Sequence, residues 1–524
     1  MIQDVCLNRI LTSIKLPIIY SLFFASIFLS QNSYGIEISK PINNRNVFYC
    51  NDFGAVGDGK TINTKAIQSA IDACNALGGG KVVLSSGRYL SGTIIMKDNV
   101  HLYLEQNSTL LASTQHKDFP MQPLPKYRSH KDQMGGFFSL IYAEGTTNIA
   151  ITGFGTIDGQ GKLQKSRENK FAGDIDGRPR NLLFISCKNI RIEGIHLRNS
   201  GLWNQHYLDC EDVKVDKISV YNHSNRNNDG IDIDGCRRVV LSNSIFDSDD
   251  DGITLKSTGP APCEDIVITN CVVSSFCNAI KAGTESTGGF KNITISNCVV
   301  KPSISKEKPI FNTPKTGISG LSLMVVDGGT MEGITVSNLT IYGTMSPIYV
   351  RLGNRARPHI SNAPIPDVGK VSSITINNVT AYGAGSWGSS ITGIPGHKVE
   401  NIMLSNIQLF TEGGVADGDF KTVVDESEKG YPQPDAWENL PSYGLYIRHA
   451  KGVSINNLVL GYKNTDIRIP IIADDVEDLL IKGVRLSNPI TALPFVKGRL
   501  LKNYDIEKPL GWQGKNNHYI LNDD

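Results

Sequence analysis

Residues 265–272 read DIVITNCV and residues 292–299 read NITISNCV, one phrase repeated 27 residues on. In each copy Ile or Val alternates with other residues, the two-residue period of a strand with one buried face. An Asn-containing step follows, where a short polar side chain tolerates the left-handed backbone of a sharp corner. Towards the N-terminus the phrase recurs as RVVLSNSI from Arg238, DVKVDKI from Asp212, NIRIEGI from Asn189 and NIAIT from Asn148. Towards the C-terminus it recurs as GITVSNLT from Gly333, SITINNVT from Ser373, NIMLSNIQ from Asn401, GVSINNLV from Gly452 and DLLIKGV from Asp478. The shorter intervals run from 23 to 28 residues and the longer ones from 40 to 51, so a unit of one size is interrupted by loops.

A single unit of this kind cannot bury its apolar face, but stacked neighbours can. Helix-pair repeats would show a 3.6-residue period, which is missing, and a β-propeller blade takes about 40–50 residues. The sequence therefore predicts an all-β fold, a right-handed parallel β-helix. Eleven recognised coils at about 4.8 Å each make a rod on the order of 50 Å long. The exposed end of a solenoid needs a cap. Residues 64–76 predict one, because Ile67, Ala70, Ile71 and Cys74 fall on one face of a helix that stops at Gly78-Gly79-Gly80. Stretches 114–138, 301–316, 353–370 and 410–440 break the period and are expected to be loops walling a groove.

With 52 basic and 51 acidic residues the chain has no global field to attract a polyanion, so nucleic acid is not an expected partner. Residues 16–30 (LPIIYSLFFASIFLS) are uncharged and apolar, with Arg9 and Lys15 before them and Ser33 and Gly35 after. The run is short for a membrane span of about 20 residues and suits a signal-peptide core. Residues 1–35 are therefore expected to be a signal peptide and 36–524 one β-helix domain, secreted or periplasmic, with no membrane association after cleavage. Nine cysteines follow that segment, an odd number, so at least one thiol is expected free. Cys187, Cys210, Cys236 and Cys263 recur with the repeat, which suggests stacking and not a disulfide or zinc framework.

Two motifs carry chemistry. Gly54–Thr61 reads GAVGDGKT, a match to the phosphate-cradling G-x-x-x-x-G-K-T, which would imply a nucleotide hydrolase. The β-coils downstream lack the alternating helices of a nucleotide-binding sheet, so the match is expected to be a decoy. The second motif pairs NNDGIDID from Asn227 with DDDGITLK from Asp249. A shift of 22 residues superposes Asp229-Gly230-Ile231 on Asp251-Gly252-Ile253 and places Asp234 beside Lys256. Asp229 and Asp251 then sit on adjacent coils about 4.8 Å apart. Carboxylates that close share a proton or a cation, which keeps a general acid available near neutral pH. The competing readings are Asp side chains capping backbone turns, or a calcium site. Asp232 and Asp234 are assigned as solvated partners of Lys281 and Lys256.

These residues, with VFYCNDFGAVGDGKTINTKAIQSAIDAC, GGGKVVLSSGRYLSG, LEQNSTLLAS, GTIDGQG from Gly155 and SGLWNQHYLDCEDV from Ser200, resemble the polygalacturonase family of pectin-degrading glycosidases, glycoside hydrolase family 28. The resemblance implies the same right-handed β-helix and an inverting hydrolysis without cofactor or metal. It implies Asp250 as general acid and Asp229 with Asp251 as activators of the water. Asn227, Trp203, His206, Lys256, Asn278, Lys281 and Arg351 are expected to line the substrate site. Asp249 extends the aspartate pair to a triplet, and Asp250 and Asp251 share a cleft only if the chain bends between strands.

Two departures bear on substrate. The family's Gly-His-Gly corresponds to Cys277-Asn278-Ala279, and its Arg-Ile-Lys, which holds the galacturonate carboxylate, to the uncharged stretch Gly320–Met324. The expected partner is a pectin-like or other acidic polysaccharide or oligosaccharide, with Arg351, Arg355 and Arg357 as replacement cations. The alternatives are a calcium-dependent lyase of the same fold and a glycan-binding β-helix without catalysis.

Overall fold

The computed structural model describes residues 46–130, 137–166, 177–488, 493–514 and 518–521. The predicted signal segment lies outside the described residues. Residues 46–524 form one compact unit, in which strands of successive coils pair in parallel. The strand–crossover–strand path is right-handed, as parallel connections almost always are.

The eleven predicted runs lie in one continuous ladder. Its inward row stacks Ile149, Ile190, Val213, Val239, Ile266, Ile293 and Ile334, and continues through Ile374, Ile402, Val453 and Leu479. All are buried, and each such side chain contributes roughly 1.5–3 kcal/mol relative to exposure. The ladder extends past the recognised runs, through Val47–Tyr49, Gly80–Leu84 and Val100–Leu104 at the start and Lys502–Ile506 at the end. The rod is therefore longer than eleven coils.

The cap forms as expected. The helix Thr64–Ala76 buries Ile67, Ala70, Ile71 and Cys74 against the first coils. It ends where the Gly78 and Gly79 N–H groups donate to Asn75 and Cys74 carbonyls, with Gly78 at φ +87°. Among the described residues no helix is long and apolar enough to cross a membrane. The corner steps are left-handed, as at Asn297 (φ 54°) and Asn378 (φ 59°). All nine cysteines are free and buried, and the Cys210 N–H donates to Cys236 Sγ at 3.3 Å across adjacent coils.

The phosphate-loop match has the wrong geometry. Asp58–Ile62 is a strand pairing with Gly87–Ser91, and the Asp58 carboxylate accepts the Lys60 and Thr61 N–H groups that a phosphate would need. The last predicted loop also begins later than expected, because Val399–Gly413 remains a strand.

Candidate active site

Strands Ile231–Asp234 and Ile253–Ser257 pair with the predicted shift, Ile231 opposite Ile253 and Asp234 opposite Lys256. Their inward residues join the core. The three aspartates lie in the bends just before these strands, so the alternation of a strand does not constrain them. Ser248 Oγ donates to the carbonyls of Asp250 and Asp251 at 3.0 Å, and Ser275 Oγ to that of Asp250 at 2.6 Å. The bend is tight enough to require Gly252, whose absent Cβ would stand 2.5 Å from the Ala279 carbonyl oxygen.

This bend delivers the expected juxtaposition: carboxylate oxygens of Asp229, Asp250 and Asp251 lie within 4.8 Å of one another. Asp249 is not part of the cluster. It is buried elsewhere, accepting the Ile310 N–H at 3.2 Å, with His223 at 3.9 Å, which fixes the register of the triplet. Of the clustered three, Asp229 and Asp251 are buried and Asp250 is partly exposed.

Their surroundings divide them electrostatically. Burial, then the neighbouring Asp251, pushes Asp250 up to about 6. Burial would raise Asp251 most of all, yet Lys281 and Lys256 outweigh it and hold its carboxyl below the usual range. Lys281 Nζ donates to Asp251 Oδ2 at 2.6 Å and Asn278 Nδ2 to Oδ1 at 2.7 Å, so both oxygens are engaged. Asp229 is raised well above the usual range by burial and then by Asp232 and Asp250. Asp229 and Asp251, the two expected water activators, thus sit in opposite electrostatic settings. The cluster titrates as a unit.

The remaining candidates separate into those at the cluster and those behind it. Asn227, at φ 54°, donates to Asp250 Oδ2 at 3.4 Å. Asn278 is buried, and its own carbonyl accepts from Ser319 at 2.7 Å and Ser322 at 3.3 Å. The uncharged coil Ser319–Val325 thus orients the Asn278 side chain. Lys256 lies 3.4 Å from Asp232, 3.8 Å from Glu285 and 3.9 Å from Asp229, over the Trp203 ring at 4.7 Å. Trp203 also receives Arg180 at 5.4 Å and the edge of His206 at 4.9 Å.

Three expectations need correction. Asp232 and Asp234 are not solvated: both are fully buried. Asp234 accepts from Thr258 at 2.7 Å and meets His206 Nε2 at 3.0 Å, while Lys281 pairs with Asp251 and Lys256 with Asp232. His206 is 0% exposed and supports Asp234 instead of lining an open surface. Arg351 is also buried, and its guanidinium is occupied by the main-chain carbonyls of Gly393 (3.0 Å), Glu426 (2.6 Å) and Ser427 (3.3 Å). It anchors a loop instead of offering a cation.

The other predicted arginines stand nearer the site. Arg355 and Arg357 both bind Asp327, and Arg357 reaches Glu285 at 3.4 Å, linking them to Lys256. Sequence reading missed Asp327 and Tyr431. Tyr431 Oη lies 3.4 Å from Lys281 Nζ although 150 residues separate them. Its only signal was its place in a Pro- and Gly-rich stretch long enough to fold back over the rod.

The chain matches known proteins along most of the rod. Residues 107–425 match the model of Glycosyl hydrolases family 28, and residues 44–128 that of Rhamnogalacturonase A/epimerase, pectate lyase-like. It is 33% identical over 214 residues to a probable polygalacturonase of Vitis vinifera, covering 39% of this chain and 43% of that protein. It is 27% identical over 248 residues to an exo-poly-alpha-D-galacturonosidase of Dickeya chrysanthemi, covering 39% and 40%. The alignments thus span less than half the length of these two curated relatives. The crystal structure of a hyperthermoactive exopolygalacturonase from Thermotoga maritima shares the fold, with a TM-score of 0.61 at 21% identity over 79% of this chain and 91% of that one.

Proposed function

Because the chain belongs to glycosyl hydrolases family 28, by a match over more than half its length, we propose that it is an exported hydrolase that cleaves glycosidic bonds in a pectin-like or other acidic polysaccharide with inversion. The observation that carries the chemistry is the contrast between Asp250, partly exposed and raised to about 6, and Asp251, held ionised by Lys281 and Asn278. One carboxyl donates a proton while its neighbour accepts one, which is the division that glycoside hydrolysis needs.

In this reading Asp250 protonates the leaving oxygen, and Asp251 takes a proton from the water that attacks the anomeric carbon. Asn227 orients Asp250, and Asn278 and Lys281 orient Asp251. The proton gained by Asp251 returns to Asp250 through the cluster or solvent before the next turnover. Inversion belongs to the proposal although 4.8 Å is shorter than the roughly 6.5–9.5 Å usual for inverting pairs. With both oxygens of Asp251 already bonded, that carboxylate is suited to orienting a water and poorly suited to bonding carbon itself.

A calcium-dependent lyase is the second reading, favoured by three carboxylates close enough to hold a divalent ion. The buried ammonium groups of Lys281 and Lys256 weigh against it, since they already supply positive charge at this cluster. The test is Asp250→Asn. Release of reducing ends from pectic polysaccharides should fall by about 10²–10⁴-fold with the fold intact, and NMR of the first product should show the inverted anomer. Near-wild-type release by the variant would remove Asp250 from the proton-donor role, and chelator-sensitive formation of unsaturated sugars would favour the lyase.

A further inference from the structure

The outward row that carries Lys281 continues along the rod through Ser322 and Tyr349, and two coils further on reaches Tyr446, all in register. A polysaccharide lying in a groove across the coils would run along this row. Beyond Ser322 that path is closed by the chain itself. Tyr349 and Tyr446 are only 1% and 4% exposed. Trp437 packs on Tyr349 at 6.0 Å between ring centroids, and Val424 and Leu440 pack on Tyr446. The cover is the segment that follows the strand Val399–Gly413 and precedes the strand Ser442–Asn464.

The cover is fixed in place. Arg351 binds the carbonyls of Glu426 and Ser427, the Asn354 N–H donates to the Glu428 carbonyl at 2.7 Å, and Arg448 donates to the Val424 carbonyl at 2.7 Å. From this anchored segment one aromatic ring projects back to the catalytic carboxylates. Tyr431 is 54% exposed, its ring lies 5.7 Å from Lys281 Nζ and 5.9 Å from the Arg355 guanidinium, and its hydroxyl is 3.4 Å from that same Nζ. Lys281 Nζ is in turn 2.6 Å from Asp251, so a single ammonium separates the carboxylate from the ring. At the opposite end of the row, Tyr142 and Leu183 are buried beneath Phe137 and Tyr127.

We infer that Tyr431 is the end wall of the substrate cleft, a stacking platform for the terminal sugar, so that the protein trims its polysaccharide from a chain end. This rests on the hydrolase reading above for the word "trims", and on the covered row and Tyr431 alone for the wall. An aromatic face fits the C–H face of a pyranose and gives contact without charge. The sugar it holds is therefore selected by ring shape, while the cations around it stay paired with Asp251 and Asp327.

The test uses the full mature chain on polygalacturonate and on branched pectic backbone. Wild-type protein should release one small product from the first time point while solution viscosity falls slowly. An early ladder of intermediate lengths would overturn end-on attack. Tyr431→Ala should raise KM by about tenfold on short oligosaccharides and lengthen the product, and Tyr431→Phe should restore both. Wild-type KM and product size in Tyr431→Ala would overturn the platform. Calorimetric binding of the same oligosaccharides to the Asp250→Asn protein, with and without Tyr431→Ala, separates the two readings. Affinity that depends on Tyr431 while wild type releases no sugar sinks the hydrolase and keeps the wall, and affinity indifferent to Tyr431 sinks the wall.

Discussion

At the asparagine corner of the rod, Asn378 donates to Asn338 at 3.0 Å and Asn338 to Asn297 at 2.9 Å, so the Asn338 amide accepts from one neighbouring coil and donates to the other. On the catalytic face the same stacking of coils brings Asp229, Asp250 and Asp251 within 4.8 Å. Like stacked on like satisfies an amide, because it carries both a donor and an acceptor. It penalises a carboxylate, which when ionised only accepts and repels its neighbour. The exposed corner is therefore complete by itself, whereas the buried acids must draw in protons and cations. Lys281 and Lys256 are the cations, and Asp229 and Asp250 are pushed towards their protonated forms. One geometric rule yields scaffold on one side of the coil and chemistry on the other.

The largest break in this comparison is Lys281→Met, which leaves Asp251 buried without its counter-ion. Stability at pH 7 should drop by about 3–5 kcal/mol in chemical denaturation, and the loss should shrink at lower pH as Asp251 takes a proton instead. With the cation gone both Asp250 and Asp251 titrate higher, so both limbs of the activity profile should move to higher pH. Unchanged stability together with an unchanged profile would show that Lys281 is not the compensating charge.

A second measurement sharpens the comparison without breaking it. Asp250 must be protonated to donate, and its folded value is raised to about 6. Turnover per unit substrate should therefore decline as pH rises through about 6, by about tenfold per unit well above it. The same raised value makes its stability contribution largest below the ordinary carboxylate range and lost as pH climbs through about 6. A rate that stays level between pH 5 and 8 would contradict the proton-donor assignment.

The smallest effect belongs to the amide side. Asn338→Ala removes two exposed hydrogen bonds and places alanine at φ 55°. The expected cost is about 1 kcal/mol, with a melting shift of at most ~2 °C and no change in activity. A change in turnover would mean that the corner and the cleft are coupled through the core.

How much of this was legible in sequence follows from the range of each interaction. The alternation of Ile and Val with polar residues is set by the strand period, and the Asn corners by left-handed backbone, so the coils and the 22-residue register of the aspartates could be read from the chain. The triplet's register could not, because Asp249 is diverted by Ile310 and His223, partners that lie far from it in sequence. Asp232 and Asp234 were misjudged for the same reason: an outward position on a strand is exposed only if no loop or neighbouring coil covers it, and both are fully buried.

Taken by itself, the sequence determined the β-helix, its capping helix and the pairing of the two acidic coils, since each depends on local periodicity and on stacking nearest neighbours. Only the tertiary structure decided the use of each charged group. Burial and the buried lysines set which aspartates are raised and which is lowered, Arg351 was committed to anchoring a loop, and that loop carried Tyr431 across the rod to Lys281. Those outcomes depend on desolvation and on contacts between distant segments, which no repeat in the chain encodes.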